Sequence, residues 1–455
     1  MQTIGNISRR TLAAVGAMLL VLGGAQADAA GVPVWGTVDS PNQGDRQNAL
    51  AGVKALSPTD VWVVGEYNPG LPPTETGRRT LTEHWDGSSF TIVPSPNADW
   101  PGVDKSALND VSGVSSKDVW AVGSAEDFAS LKSTTLTEHW DGAAWRLVPS
   151  PNPAGDSLPN GLTAVAAVSS TDVWAVGATG FPQKSLILRW NGSVWTAVPN
   201  ACKVPLQGVT AIRGLTVDLW AVGSATTCRY GAVGWSVVPS PQPPSGEAYQ
   251  LQDVSGTSPS DVWAVGFRVI QQGEHVSFAP LIEHWDGRQW SLNINIPGQS
   301  LHGVKAIAPN DAWAVGTDGA RQIILHWDGS SWGQVPTPSP GGGRLVDVEA
   351  SGPADLWAAG WFSDRDFRQR TLVEQAPSRT QGSVTGHTNV SGALITWFGP
   401  ESGSTETNDL GDYAVAGLPA GTYDFIASAD GCQPDSAEVT VVAGQMTVQD
   451  FHIEC

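Results

Sequence analysis

The stretch DVWAVGSAEDFASLKSTTLTEHWDGAAWRLVPSP, residues 118–151, decides the fold, because it recurs along the chain in seven imperfect copies. Every copy contains an Asp-x-Trp tripeptide that runs through two small apolar residues into a glycine. The first residues of these tripeptides are Asp60, Asp118, Asp172, Asp218, Asp261, Asp311 and Asp355. Neighbouring copies start 43 to 58 residues apart, and a period of that length indicates a repeat architecture.

Each copy is predicted to form four short β-strands, here labelled A to D. In the third copy, strand A is the alternating run 162–168, and strand B is the wholly apolar run 173–177. Strand C follows at 186–190, Asn191-Gly192 is typical of a tight hairpin, and strand D is 195–199. A strand that is apolar on both faces indicates a sheet packed between two others. The pattern predicts an all-β fold, a seven-bladed β-propeller over residues 31–375.

The two ends of the repeat region predict how the ring closes. The seventh copy reaches Glu374 and then lacks both the Trp-Asp-Gly turn and strand D. The missing strand stands at the other end, where VWGTVDSPN at 34–42 matches WRLVPSPN at 145–152. We therefore expect an N-terminal strand, residues 33–42, to complete the last blade and hide two sheet edges.

These motifs resemble the Trp-Asp-Gly-x-x-Trp propeller repeats of bacterial secreted proteins, which are loosely related to kelch and Asp-box repeats. The resemblance covers residues 34–374. It differs from the WD-repeat signature, because the Gly-His partner motif of that signature is missing. The resemblance implies an architecture, and it implies no particular activity.

A different β pattern begins after a polar, proline-containing linker at 376–381. The segments SGALI at 391–395, LPAGTY at 418–423 and VTVVAG at 439–444 follow in an order that resembles the carboxypeptidase regulatory-like sandwich. That family is related to transthyretin, and residues 382–455 are identified as a member of it. Because the family is non-catalytic, the resemblance implies adhesion, spacing or glycan binding, and it leaves all three open.

The start of the chain has the layout of an export signal. Ser8-Arg9-Arg10 precedes an apolar run at 12–22, and an Ala-x-Ala site follows at 25–27. The apolar run is too short for a good membrane span. We expect a cleaved signal peptide over residues 1–30, used by the general or the twin-arginine export route. The protein is then secreted, extracellular or periplasmic, without membrane insertion.

The net charge of −20 argues against two classes of partner. An acidic surface of this kind repels phosphate backbones and anionic lipid headgroups. We therefore expect neither a nucleic-acid partner nor binding to a membrane surface.

The four cysteines are expected to form two disulfides, since an exported location favours disulfides over metal binding. Cys202 lies in the loop that enters the fourth blade, and Cys228 follows strand B of that blade. These two loops emerge on the same face of a propeller. Cys432 and Cys455 flank the closing hairpin of the sandwich. Although four cysteines allow three pairings, topology favours Cys202–Cys228 and Cys432–Cys455.

The acidic and histidine residues of the repeat are better explained by structure than by catalysis. Seven equivalent aspartates cannot make one asymmetric active site, and an aspartate at a turn usually caps backbone N–H groups. Glutamate and histidine are neighbours in strand C, where neighbouring side chains point to opposite faces. The pairs are Glu83-His84, Glu138-His139 and Glu283-His284. We expect a non-catalytic protein without cofactor or metal; the alternative is a propeller-type hydrolase or lyase acting on polysaccharide.

Length variation between the copies is confined to the B–C and D–A loops, which emerge on one face of a propeller. The A–B and C–D turns hardly change. Insertions on one face of a repeat fold usually mark the binding face. The aromatic residues on the variable loops are the candidate binding residues: Tyr67, Trp100, Phe128, Tyr249, Phe278 and Phe367.

Exposed aromatic side chains over an acidic surface suit sugar rings or protein partners. We expect a monomeric extracellular binding or scaffold protein that recognises a glycan or a cell-surface ligand through this face. A protein–protein interaction scaffold is the alternative class of function. For each aromatic residue the structural alternative is that its side chain only pins its own loop.

Overall fold

The chain folds into a β-propeller followed by a β-sandwich, as the sequence predicts. A computed structural model describes residues 33–70, 77–100, 102–155, 158–214, 216–273, 275–338, 341–352, 355–376, 381–408 and 410–455. Within these ranges the regular secondary structure is all β-strand, and there is no helix that could cross a membrane. The predicted export signal lies outside the described residues, and so do residues 377–380 of the predicted linker.

Four-stranded groups, called blades here, follow the repeat. Blades 1 and 2 consist of β2 (Gln47–Ser57), β3 (Asp60–Asn68), β4 (Arg79–Trp85), β5 (Phe90–Ile92), β6 (Lys105–Ser115), β7 (Asp118–Asp127), β8 (Lys132–Trp140) and β9 (Trp145–Leu147). Blades 3 and 4 consist of β10 (Asn160–Ser169), β11 (Asp172–Thr179), β12 (Lys184–Trp190), β13 (Trp195–Ala197), β14 (Leu206–Ile212), β15 (Asp218–Gly223), β16 (Thr226–Gly231) and β17 (Gly234–Val238).

The remaining blades have the same layout. Blades 5 and 6 consist of β18 (Glu247–Ser258), β19 (Asp261–Gln272), β20 (His275–Trp285), β21 (Trp290–Asn293), β22 (Ser300–Ala308), β23 (Asp311–Thr317), β24 (Gln322–Trp327) and β25 (Trp332–Val335). Blade 7 consists of β26 (Gly343–Gly352), β27 (Asp355–Ser363), β28 (Gln369–Ala376) and β1 (Gly36–Val38).

The A strands of the blades are innermost and form a closed ring. Each A strand contacts the A strand of the next blade, and β26 of blade 7 contacts β2 of blade 1. Blades 7 and 1 are also joined by a backbone bridge between Gln369 and Gln47. The inner strands therefore surround a central channel.

The first strand, β1, pairs with β28 and not with its neighbour in sequence. Gly36 lies opposite Gln375, and Val38 lies opposite Val373, in antiparallel register. Trp35 is fully buried, and its ring meets Trp313 of blade 6 edge-on at 5.6 Å. A strand from the start of the repeat region thus completes its last blade.

Tryptophan packing holds neighbouring blades together. The strand-B tryptophan of one blade lies against the aromatic side chains of strands C and D of the next blade. Between blades 1 and 2, Trp62 contacts Trp140 at 4.9 Å and Trp145 at 5.2 Å, the latter edge-on. Aromatic pairs of this geometry stabilise beyond the area that they bury. The tryptophans of the repeat therefore stabilise the contacts between neighbouring blades.

The repeated aspartate has a different partner from the turn N–H groups that were expected. In blade 1, Asp60 Oδ1 lies 2.8 Å from His84 Nε2 on strand C, and that imidazole packs on Trp62. In blade 3, Arg189 takes the place of the histidine and binds Asp172 at 2.7 Å. The aspartate therefore ties strand B to strand C and orients the ring that covers the tryptophan.

The C-terminal sandwich has two antiparallel-rich sheets around its own core. The strands are β29 (Gln381–His387), β30 (Leu394–Phe398), β31 (Gly403–Glu406), β32 (Asp412–Pro419), β33 (Gly421–Ser428), β34 (Asp435–Val441) and β35 (Met446–Val448). One sheet has the order β32-β29-β35, and the other has the order β31-β30-β33-β34. Ile395, Tyr423 and Phe425 lie at the centre of the core between them.

The four cysteines form two disulfides, Cys202–Cys228 and Cys432–Cys455. Cys228 lies within β16, strand C of blade 4, rather than in the loop after strand B. The first disulfide is buried between blades 3 and 4 and spans 26 residues of sequence. Such cross-links are typical of proteins in oxidising compartments, so they fit an extracellular location.

We expect replacement of Cys202 and Cys228 by serine to lower the free energy of unfolding by about 3 kcal/mol, the loop-entropy value for a loop of this size. Denaturant unfolding of the oxidised wild type and the double variant measures the loss. The matched control is the Cys432/Cys455 double serine variant, which should lower the free energy of unfolding of the sandwich instead. An unchanged midpoint for propeller unfolding would contradict the prediction.

Candidate functional site

One face of the ring, which we call the turn face, carries the A–B and C–D turns, and five of the seven blades have the same C–D turn there. Asp86 of blade 1 accepts hydrogen bonds from the backbone N–H groups of Ser88 and Ser89, at 2.8 and 3.0 Å. Hydrogen bonds, first of all from the Ser88 hydroxyl, lower the pKa of Asp86 to about 2. The next residue, Gly87, has a φ of +98°, which favours glycine. The same turn recurs with Asp141, Asn191, Asp286 and Asp328.

The opposite face, which we call the loop face, carries the B–C and D–A loops and differs from blade to blade. Three of the candidate aromatics present much of their side chains to solvent there. Phe128 is 54% exposed and Phe367 is 92% exposed, while Phe278 is 47% exposed. Phe181, in the B–C loop of blade 3, is 83% exposed and was missed from the sequence. The signal was available, because Phe181 stands between the predicted strands B and C of its copy.

The other three candidate aromatics do not stand free. The prediction for Tyr249 is wrong as a binding residue: it is 3% exposed and packs in the core between blades 4 and 5. Tyr67 lies in β3 and is half-buried against the core between blades 7 and 1. Trp100 is half-buried, and the Lys132 ammonium lies 4.3 Å from the centre of its ring. Tyr67 and Trp100 are therefore in contact with neighbouring strands of the propeller, and their role in binding stays a prediction.

The channel is lined by the same positions of every A strand. A β-bulge follows the buried leucine in each A strand, as between Leu50 and Gly52 in blade 1. The bulge adds one residue and turns two successive positions toward the channel. The first of them forms what we call the mouth ring: Ala51, Asn109, Thr163, Gln207, Gln252, His302 and Val346. Because A strands run from the loop face to the turn face, this ring is on the loop-face side.

The mouth ring surrounds a cavity of about 290 Å³. Asn109 donates a hydrogen bond to the carbonyl of Leu162 at 2.7 Å, and Thr163 donates to the carbonyl of Leu206 at 2.8 Å. Burial, and then the charge of Arg344, lowers the pKa of His302 to about 4. The polar members of this ring are therefore uncharged at neutral pH.

Three carboxylates, Asp110, Asp253 and Asp347, lie next along the channel and form what we call the carboxylate ring. Each bridges two blades through backbone N–H groups. For example, Asp347 binds its own strand at Val348 and the next blade at Val53, both at 2.8 Å. Burial, and then the charge of Asp347, raises the pKa of Asp253 to about 8. These side chains stabilise the ring of A strands and narrow the channel.

A second cavity, of about 350 Å³, lies on the turn-face side of the carboxylate ring. There Glu349 accepts hydrogen bonds from Lys54 at 2.9 Å and from Lys305 at 2.7 Å. Although burial alone would raise it, attraction by Lys305 and Lys54 lowers the pKa of Glu349 to about 2. Arg213 also lines this cavity and donates a hydrogen bond to the carbonyl of Ala167. The cations therefore outnumber Glu349 at this end of the channel.

The Glu-His pairs of strand C take part in contacts within and between blades. Glu83 accepts a hydrogen bond from Ser40 at the contact between blades, while its neighbour His84 binds Asp60 within the blade. The two side chains therefore point to opposite faces of the strand. Within the described residues, no group of three or more His, Cys, Asp or Glu side chains could hold a metal ion.

Several solved structures are similar to the chain over the propeller. "YCF48 bound to D1 peptide" is 17% identical and has a TM-score of 0.48, over 76% of this chain and 95% of that one. The RRP9 WD40 repeats are 9% identical with a TM-score of 0.49, over 75% and 97% of the two chains.

A third similar structure spans more of the chain. It is the extracellular domain of the putative hybrid two-component system BT3049 from B. thetaiotaomicron, which is 8% identical with a TM-score of 0.43, over 92% of this chain and 57% of that one. Among curated proteins, the sequence matches none. Residues 379–454 match the family model of the carboxypeptidase regulatory-like domain. The C-terminal sandwich is therefore a carboxypeptidase regulatory-like domain.

Proposed function

We propose that this chain is an exported binding protein whose seven-bladed propeller recognises a glycan or a cell-surface ligand on its loop face. The observation that carries the proposal is the contrast between the two faces. The turn face repeats one hydrogen-bonded turn in five of its seven blades, so it offers little that distinguishes one partner from another. The loop face carries different side chains in each blade, over a channel mouth lined by uncharged polar groups.

Four further observations support an extracellular binding role. Residues 1–30 have the layout of a cleaved signal peptide, and the two disulfides suit an oxidising compartment. The acidic chain disfavours nucleic acids and anionic membranes as partners. The Glu-His pairs serve blade packing, which favours binding over catalysis. We propose that the protein acts as a monomer.

A protein partner is the second candidate, because of the exposed apolar side chains on the loop face. Phe181 and Phe367 are far more exposed than is usual for phenylalanine, and Leu131 beside Phe128 is 77% exposed. Aromatic side chains of this kind are typical anchors of protein interfaces. A glycan ligand would use the same rings for stacking, so binding experiments must separate the two classes.

We expect Phe128→Ala, Phe181→Ala and Phe367→Ala each to weaken binding by about 1–3 kcal/mol where the ring is an anchor, with little change in melting temperature. A glycan array and a panel of extracellular surface proteins identify the ligand class, and titration of the variants gives the loss. Ser88→Ala and Ser330→Ala on the turn face are the controls. Loss of binding in the turn-face pair alone would place the ligand on the other face and refute the proposal.

A further inference from the structure

The mouth ring has two chemically different sides. Gln207, Gln252 and His302 occupy it in blades 4, 5 and 6, which are neighbours in the ring. Val346 and Ala51 form an apolar sector in blades 7 and 1, which lie across the channel from Gln207 of blade 4. Asn109 and Thr163 complete the ring in blades 2 and 3, where their side chains bind backbone carbonyls. A site that is polar on one side and apolar on the other suits a ligand whose surface is divided in the same way.

The amides of the polar arc are free to bind a ligand. In the described part of the chain, neither the Gln207 nor the Gln252 side chain has a hydrogen-bond partner within the protein. His302 uses one ring nitrogen, which lies 3.1 Å from the Ser300 hydroxyl. An amide offers both a donor and an acceptor, so two adjacent amides match neighbouring hydroxyl groups that each donate and accept.

The mouth cavity offers no cation to an anionic group, because neither lysine nor arginine is among the described residues that line it. The aspartates of the carboxylate ring lie immediately below the mouth ring, and burial raises the pKa values of Asp110 and Asp253. Lys54 and Lys305 lie beyond them, and Glu349 binds both. The guanidinium of Arg344 lies 5.2 Å from the centre of the Trp361 ring. An anionic group would lose its hydration here without gaining a cation, whereas an uncharged ligand meets donors and acceptors.

The size and depth of the cavity limit what can enter. Its volume of about 290 Å³ is at the lower end of small-molecule sites, which span about 300–1,000 Å³. The three aspartates of the carboxylate ring line both this cavity and the cavity on the turn-face side. The volume of the mouth cavity leaves room for one small unit of a ligand.

We propose that the mouth ring binds the uncharged, hydroxyl-rich terminal unit of a glycan end-on, with Gln207 and Gln252 as its hydrogen-bonding residues. This inference rests on the proposed function and gives its ligand class: neutral sugar chain ends rather than internal segments or acidic sugars. The aromatic side chains of the loop face then contact the rest of the chain. The apolar pair at Val346 and Ala51 meets the C–H surface of the terminal ring.

The test is titration of the full chain with matched oligosaccharides. We expect neutral oligosaccharides with a free non-reducing end to bind at least tenfold more tightly than the same chains carrying a terminal uronic acid. Gln207→Ala and Gln252→Ala should each weaken binding of the neutral set at least tenfold, without a change in melting temperature. Gln334→Ala, on an exposed strand outside the channel, is the matched control and should bind as the wild type does.

The possible outcomes separate this inference from the proposed function. If glycans bind but the two glutamine variants bind equally well, or acidic ends bind better, the channel inference is overturned and the binding function remains. If no glycan binds while an extracellular protein does, the proposed glycan ligand fails as well. Gln252→Glu keeps the size of the side chain and adds a charge, so it tests the site should the alanine variant lose stability. Its affinity for neutral chains should fall at least tenfold.

Discussion

Deletion of residues 33–42 is expected to destroy the monomeric propeller. The deletion removes β1, so the backbone of β28 would expose an unpaired edge, and exposed edges promote association. It also removes Asn42, whose side chain accepts a hydrogen bond from the backbone N–H of Thr371. We expect oligomers in size-exclusion chromatography and loss of a cooperative unfolding transition.

The point substitution Trp35→Ala measures how much the packing of the closing strand contributes to the free energy of unfolding. Trp35 is fully buried against Trp313, Val335 and other core residues of blades 6 and 7, and removing a buried tryptophan costs about 3–5 kcal/mol. Trp195→Ala is the matched control, because Trp195 opens strand D of blade 3, which is continuous in sequence. Similar costs at the two positions would show that the closing strand packs as firmly as an internal one.

A deletion variant that remains monomeric with an unchanged denaturant midpoint would contradict the closure. An intermediate result is also informative. If Trp35→Ala costs far less than Trp195→Ala, the closing strand detaches locally before the ring unfolds, and hydrogen exchange of residues 36–38 would then be faster than that of 195–197.

The architecture could be predicted because short motifs mark the strands and turns of each copy. Asp-x-Trp marks strand B, and Trp-Asp-Gly marks the C–D turn. The strand at 34–42 resembles strand D, and the seventh copy is the one that lacks a strand D. Tyr249 was misjudged because the loop around it is shorter than predicted. β18 begins at Glu247 and β19 runs on to Gln272, so Tyr249 lies within a strand, opposite Arg268, and faces the core. Val269 and Ile270 favour this longer hairpin, since β-branched residues suit strands.

The residues that line the channel were missed for a different physical reason. A strand with strict alternation would place one of Gln252 and Asp253 in the core, but the bulge turns both toward the channel. Side chains that converge from distant blades cannot be recognised by spacing along the chain. Superposing the seven copies on their Leu-x-x-Val core reveals the positions, from 50–53 in blade 1 to 345–348 in blade 7. Which of these positions faces the channel still requires the bulge.

Raising the pH from 6.5 to 8 is expected to lower the free energy of unfolding. Glutamates on strand C are buried where neighbouring blades meet, and burial raises the pKa of Glu83 and Glu374 to about 8 and that of Glu283 to about 7. Burial also raises the pKa of Glu138. These carboxyl groups stay protonated in the folded ring at a pH where the unfolded chain has released the protons.

The sign follows from proton binding. An unfolded glutamate titrates near pH 4.5, so above that pH the unfolded chain binds fewer protons than the folded protein does. The free energy of unfolding therefore falls as the pH rises, until the pH passes the pKa of the folded state. His302, with its pKa lowered from 6.5 to about 4, opposes this trend only below pH 6.5. Each glutamate with a pKa of about 8 in the folded state lowers the free energy of unfolding by up to about 2 kcal/mol between pH 6.5 and 8. Urea unfolding at the two values measures the sum, and a midpoint that rises with pH would contradict it.

Glu138→Leu is expected to raise the free energy of unfolding, and to do so more at pH 8 than at pH 5. Among the described residues, neither carboxyl oxygen of Glu138 has a hydrogen-bond partner, although the side chain is fully buried. An unsatisfied buried polar group costs about 1–3 kcal/mol. Leucine fits the position, because Leu188 and Leu325 occupy it in blades 3 and 6 and are fully buried there.

Glu83→Leu is the control that separates the cost of burying a carboxyl group from the gain of its hydrogen bond. Glu83 occupies the same strand position, but its carboxyl group accepts a hydrogen bond from Ser40 at 2.7 Å, which leucine cannot replace. The variant therefore leaves the Ser40 hydroxyl without its acceptor, and its stability should improve less than that of Glu138→Leu or decline. Equal losses in the two variants at pH 8 would show that Glu138 also stabilises the blade contact through its polar group. A gain confined to Glu138→Leu would identify blade 2 as the place where an ionisable group weakens the ring.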